Sequence, residues 1–165
     1  MSATRMRTSL YLAVFCLIAS ALPAQNASST QSNPPLITSM TLEAFEQRVQ
    51  ALGFSTTRGN TDGKPDDYFT FIADGRKIGA LSLSPTMIEL FVSFSNGVEL
   101  SDLNEWNRNH FETAAFVDGS GDVVLRSNLN LEGGVTEQNL NSFITRFQDA
   151  AVAYGRFIGD HEKRA

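Results

Sequence analysis

Apolar residues at Leu42, Phe45, Val49 and Leu52 recur at the three- and four-residue spacing of a single helix face, with Glu43, Gln47, Arg48 and Gln50 filling the other faces. Thr41 stands where an N-cap belongs and Gly53 just past the end, so a helix is predicted over 42–52. The period then drops to two. Strands are predicted over 67–73, 76–83 and 87–94, with a further short candidate at 54–57 and a polar loop at 58–66 marked by the turn signals Asp62-Gly63 and Lys64-Pro65. Asp74-Gly75 is a two-residue hairpin signal, because both residues tolerate the positive φ that such a turn needs. In the strand at 87–94, Ile88, Leu90, Val92 and Phe94 share one face and Met87, Glu89, Phe91 and Ser93 the other.

Ser101 is placed to cap a second helix over 102–109. Strands at 113–117 and 123–131 then form a hairpin turning at Asp118-Gly119-Ser120-Gly121-Asp122, and a Gly133-Gly134 corner leads into a long helix from Thr136. That helix carries the clearest apolar stripe in the chain: Leu140, Phe143, Ile144, Phe147, Ala151, Tyr154, Phe157 and Ile158. The pattern describes an α+β domain over 38–158, an antiparallel sheet of about five strands (a three-stranded meander plus a hairpin) packed against helices in the order α-β-β-β-α-β-β-α, with a flexible tail at 159–165. One face of the meander is the core. The other, with Phe91, Met87 and whichever of Tyr68/Ile72 and Phe69/Phe71 lie outward, is more apolar than a solvated face requires, which predicts a partner, a second copy or an extra cover.

Two segments within this frame resemble a known family. Asn104-Glu105-Trp106-Asn107-Arg108 on the second helix and Leu131-Glu132-Gly133-Gly134-Val135 at the corner, with an acidic Gly hairpin between them, resemble the YbjN family of bacterial proteins. Its members are labelled sensory transduction regulators and look similar in fold to type III secretion chaperones. The resemblance covers about 41–158 and implies the same α+β order, chaperone-like or regulatory behaviour, and no catalytic residue.

The N-terminus adds a compartment. Arg5 and Arg7 precede an apolar run at 10–22 that ends in small residues, the order of a secretory signal peptide, and the run is short for a bilayer-spanning anchor. A leader at 1–24 and a disordered linker at 25–37 are therefore expected, with a periplasmic or secreted bacterial protein as product and no stable membrane insertion once the leader is removed. Cys16, the one cysteine, lies in the leader behind Val14 and Phe15, not the small residues of a lipid-anchor site. The processed chain would then hold neither disulfide nor thiol nucleophile. Losing Arg5 and Arg7 and no acid takes the net charge from −5 to −7, which excludes a nucleic-acid backbone as the partner class.

Candidate chemistry is sparse. Trp106 with Asn104 and Asn107 reads either as a packed tryptophan with asparagines bonded to nearby backbone, or as a recognition cluster. Two histidines, His110 and His161, without metal-ligand spacing argue against zinc, and Val123 stands where a calcium loop of the Asp118, Ser120, Asp122 type needs glycine. Glu132-Gly133-Gly134 lacks the lysine and spacing of a phosphate loop, and no Gly-x-Ser-x-Gly is present. The reading is a non-enzymatic protein-binding module, taking a protein partner or forming a homodimer, with no cofactor or metal. Its candidate binding residues are Phe91, Met87, Trp106, Asn104 and Asn107. The alternative is a small-molecule or ion site in a cleft near Trp106, His110 and the Gly133-Gly134 corner.

Overall fold

A computed structural model describes residues 34–61, 64–95 and 98–162; the expected leader and the linker up to residue 33 lie outside the described residues. Thr41 Oγ1 accepts a hydrogen bond from Ala44 N at 3.1 Å and so starts helix α1 (Leu42–Ala51), as the capping pattern predicts. Six strands follow, two before and two after the meander's centre and a final pair: β1 (Thr56–Thr61), β2 (Lys64–Ala73), β3 (Arg76–Ser84), β4 (Met87–Phe94), β5 (Ala114–Val117) and β6 (Val123–Asn130). Helix α2 (Leu100–Asn109) separates β4 from β5, and α3 (Glu137–Glu162) closes the chain. All neighbours in the single sheet are antiparallel, in the order β1-β2-β3-β4-β6-β5.

The class is the expected α+β, with one strand more than the sequence pattern suggests. Within the stretch 58–66, predicted as a polar loop, residues 58–61 end β1 and residues 64–66 begin β2, the two strands pairing from Thr56↔Phe71 to Thr61↔Lys64. The short candidate at 54–57 catches only the first two residues of β1, and alternation fails beyond them because the inward positions are polar. Thr56 Oγ1 donates to Glu46 Oε1 at 2.7 Å and Arg58 Nε to Glu46 Oε2 at 2.6 Å, so one carboxylate on α1 holds this edge strand where apolar side chains would ordinarily do it. A second difference concerns α2. Ser101 does not cap it: the helix begins at Leu100 with Glu99 in the cap position, and the Glu99 carbonyl takes the first N–H groups, from Asp102 at 3.0 Å and Leu103 at 3.3 Å. At the β2–β3 turn, Asp74 (φ 49°) and Gly75 (φ 74°) both adopt the left-handed geometry foreseen for a two-residue hairpin.

The helices share one face of the sheet. Phe69 and Phe71 of β2, Ile78 and Ala80 of β3, Ile88 and Leu90 of β4 and Leu125 of β6 are all but inaccessible and form one cluster with Phe45 of α1, Trp106 of α2 and Ile144, Phe147 and Tyr154 of α3. Each fully buried aromatic or aliphatic side chain there contributes roughly 1.5–3 kcal/mol before entropy is charged. Thr136 Oγ1 caps α3 by accepting from Asn139 N at 3.1 Å, and the helix runs on through the first residues of the segment expected as a tail. The end of the expected linker is also held: Ile37 and Val135 exchange two backbone hydrogen bonds, of 2.8 and 3.0 Å. Among the described residues, no helix is long and apolar enough to cross a membrane.

Tyr154 is the core's exception. Its ring packs edge-on against Phe94 (5.0 Å) and Trp106 (4.8 Å), yet its buried hydroxyl has no hydrogen-bond partner among the described residues. Burial, with the Asp102 charge behind it, pushes its pKa up to about 12. The folded value exceeds the unfolded one, so the contribution is intact below about pH 10 and is lost as pH rises towards 12, by roughly 2–3 kcal/mol in all. Urea titrations between pH 9 and 12 should therefore show Tyr154→Phe overtaking the parent protein. At pH 7 the two should agree within about 1 kcal/mol, because no hydrogen bond is removed.

Candidate functional site

Trp106 is 1% exposed and belongs to the core. Its Nε1–H donates to Thr113 Oγ1 at 3.1 Å, and the His110 ring stacks on it with centroids 3.5 Å apart and planes 6° from parallel. His110 Nδ1–H is itself directed at the Trp106 carbonyl, 3.1 Å away. Asn107 makes the most informative contact of this group. Its Nδ2 donates to the Ala115 carbonyl and its Oδ1 accepts from Ala115 N–H, both at 2.8 Å, so the carboxamide imitates a neighbouring strand and closes the outer edge of β5. Asn104 is exposed. Of the three, Trp106 and Asn107 are committed to the fold by these contacts, although Asn107, like Asn104, is exposed to solvent.

The Gly133-Gly134 corner is occupied by the protein itself. Both glycines have positive φ (83° and 91°), the Gly134 N–H donates to the Leu131 carbonyl at 2.9 Å, and the Leu36 side chain lies so close over Gly134 that a methyl there would strike it. The corner and Trp106 also cannot share a cleft. Trp106 contacts Tyr154 and Phe157, whereas the corner precedes Glu137, a rise along α3 of roughly 25 Å. The alternative small-molecule cleft is thus corrected: the length of α3 separates its two halves. At the β5–β6 turn, Asp118 Oδ1 accepts from Ser120 Oγ (2.7 Å), Ser120 N (2.9 Å) and Asp122 N (3.1 Å). The Ser120 hydroxyl foremost, with those amides behind it, holds the Asp118 carboxyl below its ordinary range. Among the described residues, no group of three or more His, Cys, Asp or Glu is placed to hold a metal ion.

The sheet face opposite the helices has Tyr68, Thr70 and Ile72 of β2 pointing outward, while Phe69 and Phe71 point to the core. Phe91 and Met87 lie on this face, both half-buried. Phe91 is in cross-strand register with Gly79, and its ring covers the place where a Gly79 side chain would stand; Tyr68 covers Gly59 in the same way. The two rings meet at 6.4 Å. Next to them the face becomes charged. Glu89, 9% exposed, has its pKa raised by burial and partly drawn back by Arg126, whose Nη1 lies 3.7 Å away and whose guanidinium sits 4.8 Å above the Phe116 ring. Ile72 (59% exposed) is the large apolar side chain most open to solvent here. The sequence also gave no warning of Phe111, which is 92% exposed at the mouth of a cavity of about 230 Å³ floored by Leu129, Phe143 and Phe147 and rimmed by the Glu112–Arg146 pair.

The family model described as "Putative bacterial sensory transduction regulator", YbjN, matches residues 41–160. The chain belongs to the YbjN family. None of the curated proteins matches it. Among solved structures, the Yersinia pestis type III secretion chaperone SycH, in complex with a stable fragment of YscM2, is similar to this YbjN chain at 16% identity and a TM-score of 0.46, over 68% of this chain and 97% of that one.

In this YbjN domain the Asn-Glu-Trp-Asn-Arg segment acts chiefly as architecture. Asn107→Ala should leave the Ala115 N–H and carbonyl without their partners and lower stability by about 1–3 kcal/mol in urea titration. The Ala115 amide should meanwhile lose its protection from hydrogen exchange by more than the global change explains, whereas Asn104→Ala should change neither measurement.

Proposed function

We propose that this YbjN protein is an exported, non-enzymatic protein-binding module, acting in a chaperone-like or regulatory way in the bacterial cell envelope. The observation that carries the reading is the sheet face opposite the helices. Ile72, Tyr68, Leu81 and Phe91 form an apolar field on β2, β3 and β4, bounded by the Glu89–Arg126 pair, and among the described residues no helix covers it. An apolar centre with a charged margin is the composition of a protein interface, and the same face serves a second copy of the chain or a different protein. Export rests on the leader pattern, Arg5 and Arg7 ahead of the apolar run at 10–22. The non-enzymatic part rests on how the polar residues are used: Asn107, Asp118 and Trp106 are each spent on backbone or core hydrogen bonds.

Cross-linking followed by pull-down from an envelope extract tests the interface, with size-exclusion chromatography reporting self-association. Ile72→Ser touches an exposed side chain and should fold normally, yet weaken capture or dimerisation by about tenfold or more, and Phe91→Ser should do the same with some loss of stability. A strictly monomeric protein that captures nothing, or an Ile72→Ser variant with undiminished capture, would sink the proposal. Fractionation of cells expressing the full chain tests export separately: processed protein is expected in the periplasm or medium.

A further inference from the structure

Away from the sheet's open face, a depression lies between the β2–β3 turn and one stripe of α3. Asp74 and Arg76 line it from the turn, and Asp149, Val152, Ala153 and Arg156 from the helix, at the spacing of neighbouring turns. Arg76 is held in a defined place. Its guanidinium sits 5.2 Å above the Phe94 ring and against the α3 backbone at Gly155, where an added methyl would collide with it. A glycine inside a helix costs about 1 kcal/mol relative to alanine, and here its absent side chain is what admits the guanidinium.

What Arg76 lacks is a partner. It makes no hydrogen bond and no ion pair among the described residues, and its half-buried guanidinium nitrogens stay accessible. Arg156, on the same depression, is likewise without an ion pair among them, although Asp74 and Asp149 line the rim. Withdrawing a cation partly from water without a counter-charge is unfavourable. Fixing its planar fork on a depression that Arg156 also lines prepares it for two-point contact with an oxyanion. The geometry points to a binding site for a small oxyanion, a carboxylate or a phosphate, gripped by Arg76 and closed by Arg156. Val152 and Ala153 supply a small apolar floor, and the rim carboxylates select against highly charged polyanions. This site is separate from the protein-binding face.

Titration of the full chain with sodium phosphate and, separately, with sodium succinate, each against sodium chloride at equal ionic strength, tests the site by calorimetry and thermal melting. One saturable site is expected, with a melting temperature a few degrees above the chloride control. Saturation by phosphate alone assigns the site to phosphate and by succinate alone to carboxylates; either result supports it. Arg76→Gln and Arg156→Gln should each weaken binding by about tenfold or more, Gly155→Ala should weaken it by displacing Arg76, and Arg108→Gln on α2 should have no effect. Arg156 is exposed, so its variant should fold even where Arg76→Gln does not. A response no larger than that to chloride, or undiminished saturation in folded Arg156→Gln, overturns the inference.

Discussion

The apolar stripe of α3 can be buried only by lying along one face of the sheet, and most of the architecture follows from that requirement. Leu140, Ile144, Phe147, Ala151 and Tyr154 are at most 2% exposed, and the strand residues they meet, Ile88, Leu90 and Leu125, are wholly buried. Because α3 takes β4 and β6, the rest of the sheet is left to shorter helices: α1 covers β1 to β3, and α2 packs beside β5. Among the described residues, three helices lie on one side of the sheet and none on the other. An antiparallel sheet tolerates such asymmetry, since its strands need only one buried face.

The edges of that sheet are managed by polar side chains. On one edge, Glu46 holds β1 through Thr56 and Arg58; on the other, Asn107 supplies β5 with the hydrogen bonds a seventh strand would make. Unpaired strand edges invite adventitious pairing between molecules, and both contacts draw the edge towards a helix instead. Polar residues that look available in the sequence, Trp106 and Asn107 among them, are therefore already engaged, which leaves the apolar field on the open face and Arg76 and Arg156, neither of which forms an ion pair among the described residues.

Where a local signal suffices, the fold could be read in advance. The alternation of β4, the Asp74-Gly75 turn, the Thr41 cap and the α3 stripe depend on residues close together in the chain, and each is found as expected. The failures share a cause. Most of β1 escapes alternation, beyond the short candidate at 54–57, because its inward anchors bond to a carboxylate on another element; the start of α2 depends on a carbonyl, which every residue has; and the separation of Trp106 from the glycine corner follows from the length of α3 between them. The alternation of β4 places Phe91 outward, but its role as a cover for Gly79 depends on strand register, which one strand's sequence does not contain.

Phe91 and Tyr68 stand in for side chains that Gly79 and Gly59 do not possess. The relief of the open face is consequently written one strand away from where it is displayed: the residue on β3 decides how the ring on β4 lies, and the residue on β1 decides the ring on β2. A change from glycine to alanine, invisible to any count of surface hydrophobics, would lift an aromatic ring off the sheet and turn a smooth surface into a ridged one. The topography offered to a partner can thus be redrawn without altering a single residue that the partner touches.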